Sequence, residues 1–399
     1  MRLLILCERV GTTGGMERYL QTVLPALAAR GHEILVAARQ VDSPGAFGVR
    51  TMHLPWPDEH EAPSRQAGEE LSATIGRFAP DVVVAHNVLD ACILEAAARA
   101  PRTIHHLHDH RTFCPNGDRV YPRGAQNCGV PMGGACLWHS LVHGCVYGPR
   151  SSTRVLLGRR QAVADFVRAA DAVVVLSAFM AGMASANACP PERIHTIAPP
   201  LPPEAFATVV APQPAHGVVL FAGRAMPSKG LLSLLAAIAR IDAHARPKVA
   251  VAGEGPELAA AVAFAAQNGC RIEPLGHLDP AALRAAMDEA SIVAVPSLWA
   301  EPFGLTGIEA QARGRPVVAY DVGATGEWMD GGGALVPRND TRALARQIAR
   351  YLRDPGSWSE ASRSGYAHAQ RSYSAGEHVA QLEHLYAGSS RPGGGRPTS

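Results

Sequence analysis

Glu301-Pro302-Phe303-Gly304, with a second carboxylate at Glu309, is the segment of this chain best suited to grip a ligand. It follows an apolar run ending Val295-Pro296-Ser297, so a strand leads into the turn and a helix opens after it. A helix start presents unpaired N–H groups and about half a positive charge to an anion. The two glutamates invite comparison with a hydrolase acid and base. Eight residues apart on one helix, they would be separated by about 12 Å at roughly 1.5 Å per residue. Paired glycosidase carboxylates stand roughly 5 to 9.5 Å apart. The pair fits a long ligand better, with Glu301 accepting hydrogen bonds from hydroxyls at one end and Glu309 from a diol further along. Taken alone, two such carboxylates are also what a solvated surface carries.

Further turns repeat this sequence of strand, glycine and helix. Gly14-Gly15 follows the apolar run Leu3 to Cys7, and a backbone without Cβ atoms lets a ligand approach closely. It is not the G-x-G-x-x-G of dinucleotide-binding proteins, and a Gly-Gly pair by itself is commonly only a turn. Arg224 and Lys229 flank the turn after Val218 to Ala222, where open α/β sheets bind ligands. Each cation there is worth a few kcal/mol toward a diphosphate at about 4 Å and an effective dielectric near 20, before desolvation. A solvated basic loop is the plainer alternative. Gly253-Glu254-Gly255-Pro256 is a similar turn, and Gly276-His277-Leu278 lies where backbone groups can bracket a base. His108-Asp109 ends the run Thr103 to Leu107, but His105, His106 and His110 surround it, so residue type alone does not single out His108.

The elements that must position these turns alternate along most of the chain. Strand-like runs at Leu3 to Cys7, Ile34 to Ala38, Val82 to Ala85 and Ala172 to Leu176 are interleaved with helical patterns at Glu17 to Ala29 and Leu89 to Arg99. That is the pattern of a parallel sheet covered by helices. The rhythm stops at the proline cluster Ala198 to Pro203 and resumes at Val218, with further strands near Val249 to Ala252, Ile272 to Pro274, Ile292 to Val295 and Val317 to Tyr320. The reading is two Rossmann-like α/β domains facing a cleft: 1–200, a linker at 201–216, and 217–370. A C-terminal helix at 371–388 packs back on the first domain, and a disordered tail follows at 389–399.

Composition narrows the class. With 37 Lys and Arg against 35 Asp and Glu, the formal charge is +2, which indicates neither a nucleic-acid footprint nor an acidic surface. Leu3 to Cys7 is too short an apolar run for a signal peptide, and no stretch approaches the roughly 18 apolar residues of a membrane span. A cytoplasmic protein is expected, with association at the inner face of a membrane left open.

Together the segments resemble glycosyltransferase family four, the retaining group with a GT-B fold. The likeness covers nearly the whole chain and rests on Gly14-Gly15-Met16-Glu17, His108-Asp109, Gly223-Arg224 with Lys229-Gly230, Gly253-Glu254-Gly255-Pro256, and Glu301-Pro302-Phe303-Gly304-Leu305 with Glu309-Ala310. It implies a catalytic set of His108, Glu301, Arg224 and Lys229, with His108 beside the transferred sugar. Gly14 and Gly15 would border the donor phosphate, Arg224 and Lys229 would bind the diphosphate, and Glu309 would hold the ribose. Glu301 and the backbone of Phe303, Gly304, Leu305 and Thr306 would hold the donor sugar and phosphate, while Gly253, Glu254, His277 and Leu278 complete the donor site. The resemblance further implies retaining transfer of a hexose-type unit from a nucleotide diphosphate sugar, UDP-sugar favoured, without a catalytic metal. The acceptor hydroxyl would belong to a glycan, a lipid-linked molecule or a small metabolite. No residue reads as a covalent nucleophile, so attack is expected on the face the diphosphate leaves. Two alternatives stay open: an epimerase or hydrolase of the same fold, and a silent nucleotide-sugar binding protein that docks a partner.

Cys114, Cys128, Cys136 and Cys145 crowd a Gly- and Pro-rich insertion near 110–150, with thirteen, seven and eight residues between them. In a reducing compartment four clustered thiols favour a metal, structural zinc first, over disulfides. The spacing matches no C-x-x-C signature, and unligated thiols, disulfides or an iron–sulfur cluster are the alternatives; His139 and His143 are substitute ligands. Arg150, Arg154, Arg159, Arg160 and Arg168 follow on an amphipathic helix, whose basic face suits an anionic lipid or acceptor, or plain solvent.

Overall fold

Val82-Val83-Val84-Ala85 lacks the alternation of a half-solvated strand, and it becomes a parallel strand buried on both faces. The computed structural model describes residues 1–12, 14–59, 61–121, 126–145, 150–207 and 217–388, with the backbone alone for 150–152. The predicted tail 389–399 and the 208–216 part of the predicted linker lie outside the described residues. The chain divides into two units: Met1–Pro200 together with the chain from Ala375 on, and Leu201–Ser374.

The first unit carries β1 (Arg2–Val10), β2 (Glu33–Val41), β3 (Arg50–His53), β4 (Val82–His86), β5 (Thr103–Leu107), β6 (Val120–Tyr121), β7 (Gln126–Asn127), β8 (Ala172–Val175) and β9 (Ile194–Thr196). Seven of them form a parallel sheet in the order β3-β2-β1-β4-β5-β8-β9, while β6 and β7 make a separate antiparallel pair. The order reverses direction between β1 and β4, which opens a crevice at their carboxyl ends. Leu3, Ile5, Val36 and Val84 join Leu20 and Leu24 of the helix Gly15–Ala29 in its core. The helix Ala375–Ala387 completes that core with Val379, Leu382 and Tyr386. Tyr19 Oη and His378 Nε2 hydrogen-bond at 2.9 Å, and Arg102 donates to Leu385 O at 3.1 Å.

The second unit holds β10 (Val218–Ala222), β11 (Lys248–Ala252), β12 (Arg271–Gly276), β13 (Ile292–Val295), β14 (Val317–Tyr320) and β15 (Gly333–Val336) in the parallel order β12-β11-β10-β13-β14-β15. Its reversal falls between β10 and β13. Leu201, assigned to the linker by its prolines, is instead buried, and its N–H donates to Tyr373 O at 2.8 Å. Ala207 N–H reaches Ala312 O at 2.9 Å, so 201–207 packs as part of this unit.

On the basic helix Arg150–Ala169, Arg154 is exposed and Arg159 half-buried, but two of the arginines turn to other tasks. Arg160 is buried and pairs with Glu59, while the half-buried Arg168 donates to Asn187 O at 2.7 Å and pairs with the exposed Asp165. No described helix is long and apolar enough to cross a membrane.

Candidate active site

In the second unit the two loops that leave β10 and β13 flank the switch point, and they are tied together at their tips. Lys229 Nζ donates to Glu301 Oε1 at 2.7 Å, Ser297 Oγ donates to the same oxygen, and the ammonium lies 4.7 Å from the centre of the Trp299 ring. Glu301 is only 5% exposed. Burial alone pushes its carboxyl upward, but the Lys229 charge and hydrogen bonds from Lys229, Ser297 and Trp299 outweigh that and hold it below the usual carboxylate range. The approach depends on Gly230, which has φ +74°; a Cβ there would lie 2.0 Å from Pro296 O. The sequence reading gave Lys229 and Glu301 separate parts of a ligand, whereas the structure places them on each other.

Arg224, on the same loop, is exposed, and among the described residues its side chain has no ion pair. It is the free cation of this corner. Gly253 brings the next loop against it: a Cβ at that position would sit 2.0 Å from Gly223 O, and Ala225 N–H donates to Glu254 O at 2.8 Å. Glu254 and His277 are exposed on neighbouring loops, and Leu278 is half-buried.

The Pro302-Phe303-Gly304 turn opens the helix Leu305–Ala312 as expected, and Thr306 Oγ1 donates to Ala222 O at 3.3 Å, pinning the helix start to the end of β10. Glu309 lies on this helix and is buried. Sequence reasoning missed what holds the turn. Trp328, fully buried, donates from Nε1 to Phe303 O at 2.6 Å, and its ring covers Gly304 and Gly307. Ala324 N–H donates to Glu301 O at 3.0 Å, so the loop after β14 braces Glu301 from behind. The one available signal was the pair of small residues Gly304 and Gly307, which leaves room for a large ring.

In the first unit Gly14 caps the helix Gly15–Ala29, and the Glu17 carboxyl folds back over it, 2.1 Å from where a Cβ would stand. Burial pushes the Glu17 carboxyl up. His108 follows β5, its N–H donating to Asn87 Oδ1 at 2.8 Å, while Asn87 Nδ2 donates to Asp109 Oδ2 at 2.9 Å. Asp109 in turn pairs with Arg111 at 2.8 Å, and Arg111 reaches Glu8 at 2.9 Å.

His108 belongs to a stack that the sequence did not disclose. His86 Nδ1 and His108 Nε2 hydrogen-bond at 2.9 Å, and the His106 ring lies 4.5 Å from that of His108 at 20°. The in-register pairing of His86 with His106 across β4 and β5 creates this arrangement. Burial pushes His108 down to about 3 and lowers His86 and His106 as well, so the stack is neutral near pH 7. Its ring nitrogens include three within 4.8 Å of one another, a spacing a cation could span. Rings stacked at 20° to 33°, however, aim their lone pairs along near-parallel planes, whereas ligands of one ion converge on it.

Residues 13–205 match the family described as Glycosyltransferase Family 4, and 216–354 match Glycosyl transferases group 1. A D-inositol 3-phosphate glycosyltransferase of Saccharomonospora viridis is 34% identical, across 91% of this chain and 87% of its own. Among solved structures, Anabaena HepE in complex with UDP superposes with a TM-score of 0.73 at 18% identity, covering 96% of this chain and 99% of that one. Sucrose-phosphate synthase from Thermosynechococcus elongatus superposes at 0.70 with 20% identity, covering 97% and 98%. These two share the architecture, two Rossmann-like domains of the GT-B type. With a relative this similar over most of both lengths and the motif turns in place at two switch points, the chain belongs to glycosyltransferase family 4.

Proposed function

We propose that this glycosyltransferase takes a sugar from a nucleotide diphosphate sugar, UDP-sugar first among donors, and passes it with retention to an acceptor hydroxyl. The observation that carries the reading is the corner of the second unit where Arg224, free and exposed, stands on the loop pinned to the start of the helix Leu305–Ala312. A departing diphosphate gains charge as the glycosidic bond breaks, and a cation with oriented N–H groups stabilises that charge where it develops. Glu309, further along the same helix, suits the ribose, and the backbone near Gly276 and His277 suits the base.

Retention by double displacement would need a free carboxylate at the anomeric carbon. Glu301 stands at this corner, and Lys229 and Ser297 already claim its Oε1. Front-face attack therefore fits better: the acceptor oxygen bonds to the anomeric carbon as the diphosphate leaves, and a phosphate oxygen takes the acceptor proton. Neutral His108 would serve that step as a hydrogen-bond partner of the sugar rather than as an acid.

The test is turnover with a panel of UDP-, GDP- and ADP-sugars and pooled acceptors, followed by the anomeric configuration of the product. A preferred nucleotide at about 100 times its dissociation constant should stabilise the protein by about 2.7 kcal/mol. Absence of transfer and of stabilisation with every donor would sink the reading, and an inverted product would sink the front-face mechanism alone.

A further inference from the structure

Among the described residues, four of the six exposed large apolar side chains lie on two helices that pack together. Trp138 is 64% exposed, Leu141 43% and Val142 41% on the helix Ala135–His143, and Val155 is 52% exposed on the helix Arg150–Ala169 beside it. Positions 138, 141 and 142 share one helical face, being three and four residues apart. Tyr121 holds a different face, its ring stacking on His139 at 5.1 Å and on His143 at 4.3 Å. The helix is thus anchored through its histidines and presents Trp138 and Leu141 to solvent. Single apolar groups scattered over a surface need no explanation, but a cluster of them marks an interaction site.

The charge around this face has one sign. Residues 119–164 hold six arginines and no Asp or Glu, in a chain that carries 35 acids in 399 residues. Two of the six turn inward: Arg119 donates to Cys128 O at 2.9 Å, and Arg160 takes up Glu59, an acid that reaches this helix from elsewhere in the unit. Arg154, next to Val155, is exposed, and Arg159 is half-buried. A second copy of the chain would bring arginine to arginine across a twofold contact. An anionic bilayer supplies what the face lacks, negative charge spread over a plane and apolar depth for the side chains that project from it. Trp suits that boundary, since its ring is apolar and its N–H can stay at the level of the headgroups.

We propose that the face formed by Trp138, Leu141 and Val155 docks on the surface of a bilayer containing anionic phospholipid, with Arg154 among the headgroups. Such binding is peripheral and reversible, because a few apolar side chains and a cation hold far less firmly than a spanning helix. Attraction to the lipid charge brings the face to the surface, and burial of the Trp138 and Leu141 side chains keeps it there. The proposal concerns where the enzyme stands rather than what it transfers, so it holds or fails independently of the donor reading.

The full chain should sediment with vesicles of mixed phosphatidylcholine and phosphatidylglycerol, should bind phosphatidylcholine alone far less, and should be released in part by salt. Arg154→Gln should weaken the partitioning about fivefold, the factor for one cation at such a surface, and Trp138→Ser combined with Leu141→Ser by at least about tenfold. Val262→Ser, which changes an exposed apolar side chain of the second unit, should bind as the wild type does. The native chain supplies a reading that needs no variant. Of its five tryptophans, Trp56, Trp328 and Trp358 are buried and Trp299 is half-buried, so brominated lipid in the vesicles should quench the Trp138 share of the fluorescence. A wild-type chain that ignores anionic vesicles and shows no quenching would overturn the proposal. Vesicle binding that survives the double variant would also overturn it, by putting the contact elsewhere. So would self-association, without vesicle binding, that the double variant abolishes, since the face would then belong to a second copy.

Discussion

Lys229 and Glu301 stand 72 residues apart in sequence and meet at 2.7 Å, with Ser297 as a second donor to the same carboxylate oxygen. The pair bridges the two loops at the switch point, so it is expected to set the spacing of that corner as well as its charge. Lys229→Ala leaves a buried carboxylate without its cation and should cost about 3 kcal/mol, the lower end for breaking a buried pair because the lysine is partly solvated. Glu301→Gln should cost less. A double-mutant cycle by urea unfolding should give a coupling of about 1–3 kcal/mol; additive losses would show that the contact does not couple the loops.

The same carboxyl has a sign in pH. Its folded-state pKa lies below the unfolded one, so its contribution is complete above about 4.3 and is lost as pH falls through that value toward the folded pKa. In Lys229→Ala burial is opposed only by the hydrogen bonds from Ser297 and Trp299, and the contribution should shrink or reverse. Unfolding midpoints at pH 6 and 4 for the two proteins should therefore converge on acidification.

Arg224→Ala separates binding from stability. The side chain is exposed, so thermal unfolding should move by no more than about 0.5 kcal/mol. Loss of a charge-assisted bond to the diphosphate, about 1.5–3 kcal/mol, should weaken UDP by roughly 10- to 100-fold in calorimetry. Unchanged affinity would return Arg224 to the solvated loop.

Trp328→Phe removes the donor to Phe303 O and opens space beneath the helix start, at about 2–3 kcal/mol. Gly307→Ala sets a methyl 2.2 Å from the indole Cη2, and overpacking of this kind costs about 1–3 kcal/mol. The smaller ring makes room for the added methyl, so the double variant should lose less than the sum of the two. Strict additivity in denaturant melts would mean that the ring and the helix do not share one packing site.

The buried histidines predict acid sensitivity at a higher pH. Burial lowers His105 to about 4, His108 to about 3 and His378 to about 4, with His86 and His106 also lowered. Below about 6.5 the unfolded chain binds protons that the folded chain refuses, so stability falls as pH drops from there toward about 4, by up to about 1.4 kcal/mol per pH unit for each histidine. Glu8 and Glu17, both pushed up by burial, bind protons first in the folded state and oppose the trend near the carboxylate range. His106→Phe should shallow the slope between pH 6.5 and 5 by about one proton; an unaltered slope would show that this ring does not resist protonation.

Much of the scaffold was legible because its signals are local. Val218 to Ala222 and Ile292 to Val295 read as strands from unbroken apolar runs, and the glycine and proline punctuation located the turns that follow. What escaped notice depends on pairing between distant segments. No local pattern says that β4 and β5 align His86 with His106, or that a tryptophan 25 residues beyond Phe303 returns to hold its carbonyl. Lys229 and Glu301 were each recognisable as polar groups at a ligand-facing edge, yet their union depends on the 2.0 Å clearance that only Gly230 allows. The linker was misjudged at Leu201 because prolines signal a break in regular structure and say nothing about burial.

The closing helix of the first unit, Ala375–Ala387, has a consequence for synthesis. Tyr19 waits for His378 across 359 residues, and Val379, Leu382 and Tyr386 are the last apolar side chains to reach a core begun by Leu3. On the ribosome the continuous stretch Leu201–Ser374 intervenes, which takes roughly 10 to 35 s at about 5–20 residues per second. The part made first is therefore completed last, and the part made second can finish before it. Until translation ends, the surface around Leu20 and Leu24 is uncovered, and a nascent chain stalled or cut before residue 375 exposes an apolar face that chaperones and proteases recognise.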